Sequence, residues 1–548
     1  MNNNFNLIHV TRRLGLLALV LALGCEGPAG KDGADGLDGM DGVDGRDGEN
    51  GAKGADGKTG PNGSDGEDAL NSVKGANGKN GTDGADGADG ADGRDGRDGR
   101  DGRDGTTGVG GGNPSAPVIG EPIVVRVSAT GHDRFYGVTY DALGNIYAVG
   151  QVTSSTEATA DIATVIAKFK GNGELDTSFG AGGFVSRNVA VGTNGELFRN
   201  IVVQTTGKVV AVGTVEHVGA ADARDRDVAL LRFNPDGTKD TTFGSDGILT
   251  LDLSDGVVNG TAFSADSAWG LDRYPDDRLV VSGGRVRDGG TDTDFVLVRL
   301  NADGTPDTTF GTDGLFSLDL EVNSASNNAS PRNLTILPGT DGIIGGGYQP
   351  YPGGDTSPVL YKVTDDGELD VTFGTDGIFR DQLLAEQTET YQAVVQPIDG
   401  GGYNLVTTGY GRSTSVETTD IVSLRLTSDG EIDTTYGDSG TGLERIDIGG
   451  YGDNSRRLLV LPDGRIVLAG GGRLTSADVD GIVTVLDADG LPDTSFSATG
   501  WKAFDLGGPA DFLWSVARSP VSNTLAFVGI KGVPTANDDA VLLILPTP

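Results

Sequence analysis

Histidine, cysteine and tryptophan are almost missing from this 548-residue chain, which has three His, one Cys and three Trp. A single cysteine, Cys25, allows no intrachain disulfide and no thiolate metal cluster. His9, His132 and His217 lie far apart, which argues against histidine-based catalysis and against zinc or copper sites, though not against carboxylate chemistry. Bases are outnumbered by acids, 41 to 79, for a net charge of −38. Such a surface repels nucleic-acid phosphates and anionic headgroups, so no nucleic-acid partner is expected; solubility is its plainer explanation. Helical periodicity is absent, and so is a phosphate-binding glycine loop. No catalytic residue, metal ligand or cofactor is assigned, and the chain is not read as an enzyme.

No apolar run is long enough to span a membrane. The longest, Leu14 to Leu23 behind Arg12-Arg13, has about ten residues where a spanning helix needs about 20. A basic start followed by a short apolar core is a secretory signal. It ends Leu21-Ala22-Leu23-Gly24-Cys25, which resembles the lipobox of bacterial lipoproteins, with Ala22 where leucine is usual. The resemblance implies a lipoprotein signal peptide over 1–24, cleavage between Gly24 and Cys25, and acylation of Cys25. It places the protein in the bacterial cell envelope, lipid-anchored at the outer membrane or cell surface. The paired arginines also loosely resemble a twin-arginine export signal, with the general secretory route preferred.

Glycine then falls on every third residue from Gly27 to Gly66 and, in the same phase, from Gly75 to Gly108; Ala69 and Ser72 fill the two missing positions. Only glycine fits the crowded axis of a triple helix. Residues 25–108 resemble the collagen-like regions of bacterial surface proteins and imply a stalk that joins three chains. Proline, which pre-sets such a helix, occurs only at Pro28 and Pro61, and Asp dominates the third position. Charge pairs such as Arg94, Arg97, Arg100 and Arg103 beside Asp95, Asp98, Asp101 and Asp104 would have to compensate. The alternative is a polar, disordered tether. In either form the segment is a spacer, of about 250 Å if wound at ~3 Å per residue or about 50 Å as a coil.

After a Gly- and Pro-bearing linker over 109–121, a repeat governs the rest. Asp240-Thr241-Thr242-Phe243-Gly244 recurs in close copies centred on Phe179, Phe310, Phe373, Tyr436 and Phe496, at steps of 64, 67, 63, 63 and 60 residues. Each period holds four short runs rich in Val, Ile and Leu bounded by Gly, Asp and Pro, which is the arithmetic of a β-propeller blade. The second-and-third-strand unit recurs seven times, ending at Gly150, Gly213, Gly283, Gly346, Gly409, Gly470 and Gly529. Residues 123–127 supply a seventh outer strand. The expected fold is all-β, a seven-bladed β-propeller over 122–548 preceded by the Gly-X-Y stalk.

The pattern Leu231-Arg232-Phe233-Asn234-Pro235-Asp236-Gly237 with the 240–247 marker resembles the delta-60 repeat of bacterial propeller proteins. The sixth copy departs, with Ser497 for glycine. The resemblance implies the fold and no activity. By analogy with related propellers, the 201–204 type of strand lines the channel, the 248–253 type is outermost, and 123–127 pairs beside 540–545 to close the ring. Marker aspartates are read as turn residues and marker aromatics as packing between blades. The carboxylates around Asp487, Asp489 and Asp493 are read as an Asx turn rather than a calcium loop. Trp269, Trp501 and Trp514 are read as core, and ligand contacts are expected on the long dissimilar loops. The function expected is an anchored binding or interaction head with an extracellular protein or glycan ligand. A structural envelope component, or a carboxylate-dependent hydrolase or lyase, is the alternative.

Overall fold

The structure, a computed structural model, describes residues 119–548 except 158–159, 191–195, 217–225, 255–265, 287–292, 321–328, 341, 351–354, 477 and 533–537. Gly24, Cys25 and the Gly-X-Y segment 25–108 lie outside the described residues, as do parts of the long loops. Residues 114–548 form a unit of their own.

Among the described residues there are strands and turns but no helix. A representative unit runs inner strand Leu197–Val203, second strand Val209–Glu216, third strand Arg226–Phe233 and outer strand Ile248–Leu251, each antiparallel to the next. The second and third strands are buried nearly end to end. Their continuous apolar runs reflect that: both faces of the sheet are covered by neighbouring sheets, so the usual alternation disappears. The outer strand keeps an exposed residue and reads more mixed.

Five such sheets have four strands. An eight-stranded sheet combines two more sets of four through a single parallel pair, Thr356 with Gln387. The inner strands Asp133–Tyr140, Leu197–Val203, Ser267–Arg273, Ser330–Ile336, Gln387–Pro397, Asn454–Val460 and Phe512–Arg518 lie side by side in that order, and the last returns to the first. They surround a central channel. The apolar clusters straddle neighbouring units: Tyr147, Val149, Ile166 and Phe179 of one pack with Phe198, Ile201, Val209 and Ala211 of the next.

The ring closes as the sequence predicts. Ile123–Val125 pairs antiparallel with Asp539–Pro546, Ile123 opposite Leu542 and Val125 opposite Ala540, so the chain ends leave no free edge there. The strand stops two residues short of the predicted 127 because the Asp133 carboxylate takes the N–H groups of Val127 and Ser128, each at 3.0 Å.

The marker turns bind one unit to the next. Phe179, Phe243, Phe310, Phe373 and Tyr436 are fully buried. Gly180 N–H donates to Asp236 O of the following unit at 2.8 Å, and Gly311, Gly374 and Gly437 repeat the bond to Asp366, Asp429 and Asp489. The marker aspartate is the expected turn residue and something more. Asp240 Oδ1 accepts from Thr242 N and Oγ1, while Oδ2 accepts from Arg232 Nε at 2.6 Å and Lys208 Nζ at 2.7 Å. Burial alone would raise the Asp240 carboxyl; the bonds from Lys208 and Thr242 and the charge of Arg232 outweigh it and hold it well below the usual range. In the sixth copy Val485 stands where the others carry Arg or Lys; Arg465 reaches Asp493 instead at 3.3 Å, and Phe496 is only half-buried. Asp487 Oδ1 accepts from Asp489 N and Leu491 N, the Asx turn expected there.

Candidate functional site

The channel is shaped by a defect repeated in every inner strand. The register against the second strand shifts between Phe135 and Gly137, Phe198 and Asn200, Ala268 and Gly270, Thr390 and Gln392, Ser455 and Arg457, and Leu513 and Ser515. In the fourth strand it shifts between Pro331 and Leu334. Each β-bulge leaves a residue outside the ladder and re-aims its side chain. A glycine faces each bulge because the backbone there leaves no room. A Cβ on Gly150 would sit 1.8 Å from Arg134 O, and one on Gly213 2.3 Å from Leu197 O. In the fourth unit that glycine is Gly347, where a Cβ would sit 2.1 Å from Ser330 O, not the Gly346 read from the repeat. Two residues, Arg332 and Asn333, occupy the wider bulge and move the register by one.

The bulged residues are, in ring order, Tyr136, Arg199, Trp269, Arg332, Tyr391, Arg456 and Trp514. Cations and rings alternate around the axis. Trp269 lies between two guanidiniums, with Arg199 Cζ at 4.0 Å and Arg332 Cζ at 4.1 Å from its ring. Arg332 also covers Tyr348 and Tyr391 at 4.6 and 4.7 Å, and Arg456 covers Tyr391 at 4.0 Å and Trp514 at 5.5 Å. Trp514 meets Tyr136 edge to face at 5.2 Å, which completes the circle. Trp269 and Trp514 are therefore not core residues, as the sequence reading had them; the bulge turns them into the channel. Trp501, on an outer strand, packs partly against the core as expected.

The plug leaves about 20 Å³ at its centre, room for about one water. Its charge is uncompensated by carboxylates: among the described residues Arg199, Arg332, Arg456 and the adjacent Arg457 form no ion pair. Burial lowers Arg199 to about 10, with the charge of Arg332 adding, and burial lowers Arg457 to about 10. Three N–H donors of the plug, Arg332 Nε, Arg456 Nε and Trp514 Nε1, are buried without an acceptor. Unpaired buried donors are costly, so a group of them on one ring marks a place for an acceptor. Glu389, the nearest carboxylate in sequence to the plug's Tyr391, is tied to Gln387 Nε2 at 2.7 Å and Tyr391 Oη at 3.2 Å.

Toward the Asp-Gly turns the channel widens into a cavity of about 350 Å³ lined by Asn200, Asp272, Asn333, Gln392, Arg457 and Ser515 among aliphatic side chains. Bonds cross between inner strands here: Leu458 N donates to Gln392 Oε1 of the neighbouring strand at 2.9 Å, and Asn200 Nδ2 donates to Asn333 Oδ1 at 3.4 Å past the intervening strand Ser267–Arg273. Burial pushes the Asp272 carboxyl up. Sequence reasoning missed the plug because Tyr, Arg, Trp, Arg, Tyr, Arg and Trp share no residue type. The glycine facing each bulge was the available signal.

Strands of this order around a plugged axis define a β-propeller head. Two family models match the chain: the domain of unknown function (DUF5122) β-propeller over residues 204–243 and 275–310, and the collagen triple helix repeat over residues 22–72. The chain thus carries a collagen-like region as well as a propeller. No curated protein matches the sequence. Solved structures similar to it include a protein of unknown function from Dyadobacter fermentans, at 12% identity over 78% of this chain and 98% of that one, with a TM-score of 0.39. A polysaccharide lyase of family PL25, an ulvan lyase, aligns at 9% identity over 76% of this chain and 94% of its own, with a TM-score of 0.41. The β-propeller domain of the Trilobed protease from Pyrococcus furiosus aligns at 9% over 76% and 97%, with a TM-score of 0.36. Similarity at this level does not bear on what the chain binds.

Proposed function

We propose that this protein is a lipid-anchored cell-envelope binding protein: a seven-bladed propeller head displayed on a collagen-like spacer, cleaved after Gly24 and acylated at Cys25. The ligand is anionic, an acidic glycan rich in carboxylate or sulfate. The observation that carries the reading is the channel plug, where three arginines without carboxylate partners alternate with four aromatic rings and leave three buried donors unanswered. Aromatic faces suit sugar rings, and guanidinium edges suit planar anions. In a chain of net charge −38 this is a local basic well, and low-dielectric walls concentrate its field. The stalk would gather three heads and three acyl chains, and so strengthen both binding and anchorage.

The test is an array of acidic and neutral glycans probed with the full chain in detergent. Retention of uronate- or sulfate-bearing glycans that weakens with salt supports the reading. Retention of none, or of neutral glycans equally, sinks it and leaves a structural plug in an envelope component. The small space at the centre of the plug is what favours that second reading. For the anchor, a labelled fatty acid should enter the wild type and not Cys25→Ala. For the stalk, sedimentation should give three chains rather than one.

A further inference from the structure

Three chain positions meet at several junctions between one unit of the ring and the next. They are a residue near the start of a third strand, the residue just after the outer strand paired with it, and the residue three before the bulge of the next inner strand. At the junction of Asp478–Leu486, Trp501–Phe504 and Phe512–Arg518 these are Asp480, Asp505 and Asp511. One carboxylate oxygen from each lies within 4.8 Å of the other two. Asp480 is 7% exposed, and its Oδ1 is buried with no hydrogen-bond partner. Asp478 Oδ1, close by in sequence, is likewise buried and unpaired. The other two are only partly committed. Asp511 accepts from Leu506 N, Gly508 N and Gly532 N, and Asp505 Oδ1 accepts from Gly507 N at 2.7 Å. Lys531 Nζ lies near Gly507 but forms no ion pair among the described residues.

The fold contains its own comparison. At the junction of Asp539–Pro546, Ile123–Val125 and Asp133–Tyr140 the same three positions hold Asp539, Arg126 and Asp133. A guanidinium replaces the middle carboxylate and bonds both oxygens of Asp539 at 2.9 Å. There the sequence supplies a cation to the two acids. At Asp420, Asp447 and Asp453 the first acid is bound by Arg445 at 2.5 Å. At the Asp480 junction none of the three acids is ion-paired among the described residues.

We propose that Asp480, Asp505 and Asp511 bind a calcium ion, which clasps three strands from two neighbouring units of the ring. The donors are all hard oxygens, with no nitrogen or sulfur to favour zinc or copper, and water and main-chain oxygens complete the shell as calcium sites allow. Magnesium fits less well because it demands a small, near-ideal octahedron and gives up its water reluctantly. An affinity of ~10⁻⁴–10⁻³ M, that of extracellular calcium modules, suits a protein of the cell envelope.

The experiment is calorimetry on the full chain, first stripped with a chelator and then titrated with calcium. The head transition should rise by about 2–5 °C at saturating calcium and by clearly less with magnesium. Asp480→Asn should lose most of that rise. Asp505→Arg, which copies the arrangement around Arg126, should raise the calcium-free transition and abolish the response. Because Asp505 is exposed, that variant carries the test if Asp480→Asn fails to fold. A wild-type transition indifferent to calcium overturns the proposal. So does a full calcium response in either folded variant, or an equal response to magnesium.

Discussion

Arg232 and Asp240, eight residues apart on opposite sides of a turn, are both about 4% exposed and joined Nε to Oδ2 at 2.6 Å. The pair recurs as Arg299 with Asp307 at 2.7 Å and Arg425 with Asp433 at 2.8 Å, and as Lys168 with Asp176 and Lys362 with Asp370. Arg232 also stacks on Phe243 at 4.3 Å and reaches Ala302 O of the next unit, so one side chain ties the turn to its neighbour.

Removing one member of a buried pair leaves the other uncompensated. Asp240→Ala strands both Arg232 and Lys208 and should cost ~3–5 kcal/mol in denaturant unfolding. Arg232→Val should cost less, about 1–2 kcal/mol, because Lys208 still meets Asp240 at 2.7 Å. The sixth copy, with Val485 and Arg465, already follows that plan. Equal losses in the two variants would show that the pair is not the controlling interaction.

Acid and base should destabilise the head for opposite reasons. Asp240 and Asp307 are held below the ordinary carboxylate value, so their contribution is present above about pH 4 and lost as pH falls through the folded values. Glu196 behaves inversely. Burial pushes it up to about 7, with the charge of Asp161 adding, against bonds from Ala190 N and Val189 N. Its native form holds more protons than the unfolded chain between about pH 4.5 and 7, so stability falls as pH rises through that window. Burial raises Asp133 to about 6 with the same sign. Glu196→Gln should flatten the decline between pH 5 and 8 by on the order of 1–3 kcal/mol. An unchanged melting profile across that range would contradict the assignment.

The glycines facing the bulges should tolerate no side chain. Gly213→Ala puts a Cβ 2.3 Å from Leu197 O and 2.5 Å from Phe198 Cα, and should cost about 3 kcal/mol or prevent folding. Gly440→Ala meets nothing within 4 Å and only suffers its φ of +69°, so about 1 kcal/mol is expected. Thermal melts of the two variants compare steric closure with backbone strain.

The plug separates stability from binding. Arg456→Met removes a guanidinium that has no carboxylate partner, so the melting temperature should stay level or rise, while retention of acidic glycans should fall tenfold or more. Trp514→Phe keeps an aromatic ring beside Tyr136 while it removes the Nε1 donor and part of the ring area. It should cost under about 2 kcal/mol of stability and weaken binding several-fold. Loss of stability without loss of retention would make the ring a packing device.

The sequence alone determined the strand composition and the position of the marker turns, because both rest on local chemistry; the pairing of 123–127 beside 540–545 came from likeness to related propellers, and the structure has it at 123–125. Runs of Val and Leu make strands, Asp-Gly pairs make turns, and a repeat copies both around a ring. It also determined that Asp487 makes an Asx turn, a matter of main-chain groups two and four residues away. The tertiary structure decided what depends on residues far apart in the chain. Tyr136, Arg199, Trp269, Arg332, Tyr391, Arg456 and Trp514 have no common residue type, and only the bulge that turns each side chain to the axis makes them one site. Asp480, in a third strand, and Asp505 and Asp511, which flank the ends of two others, are likewise brought together by the abutment of two units that no local pattern records. Short-range geometry is written in neighbouring residues; convergence at an axis or a junction appears only when the ring is closed.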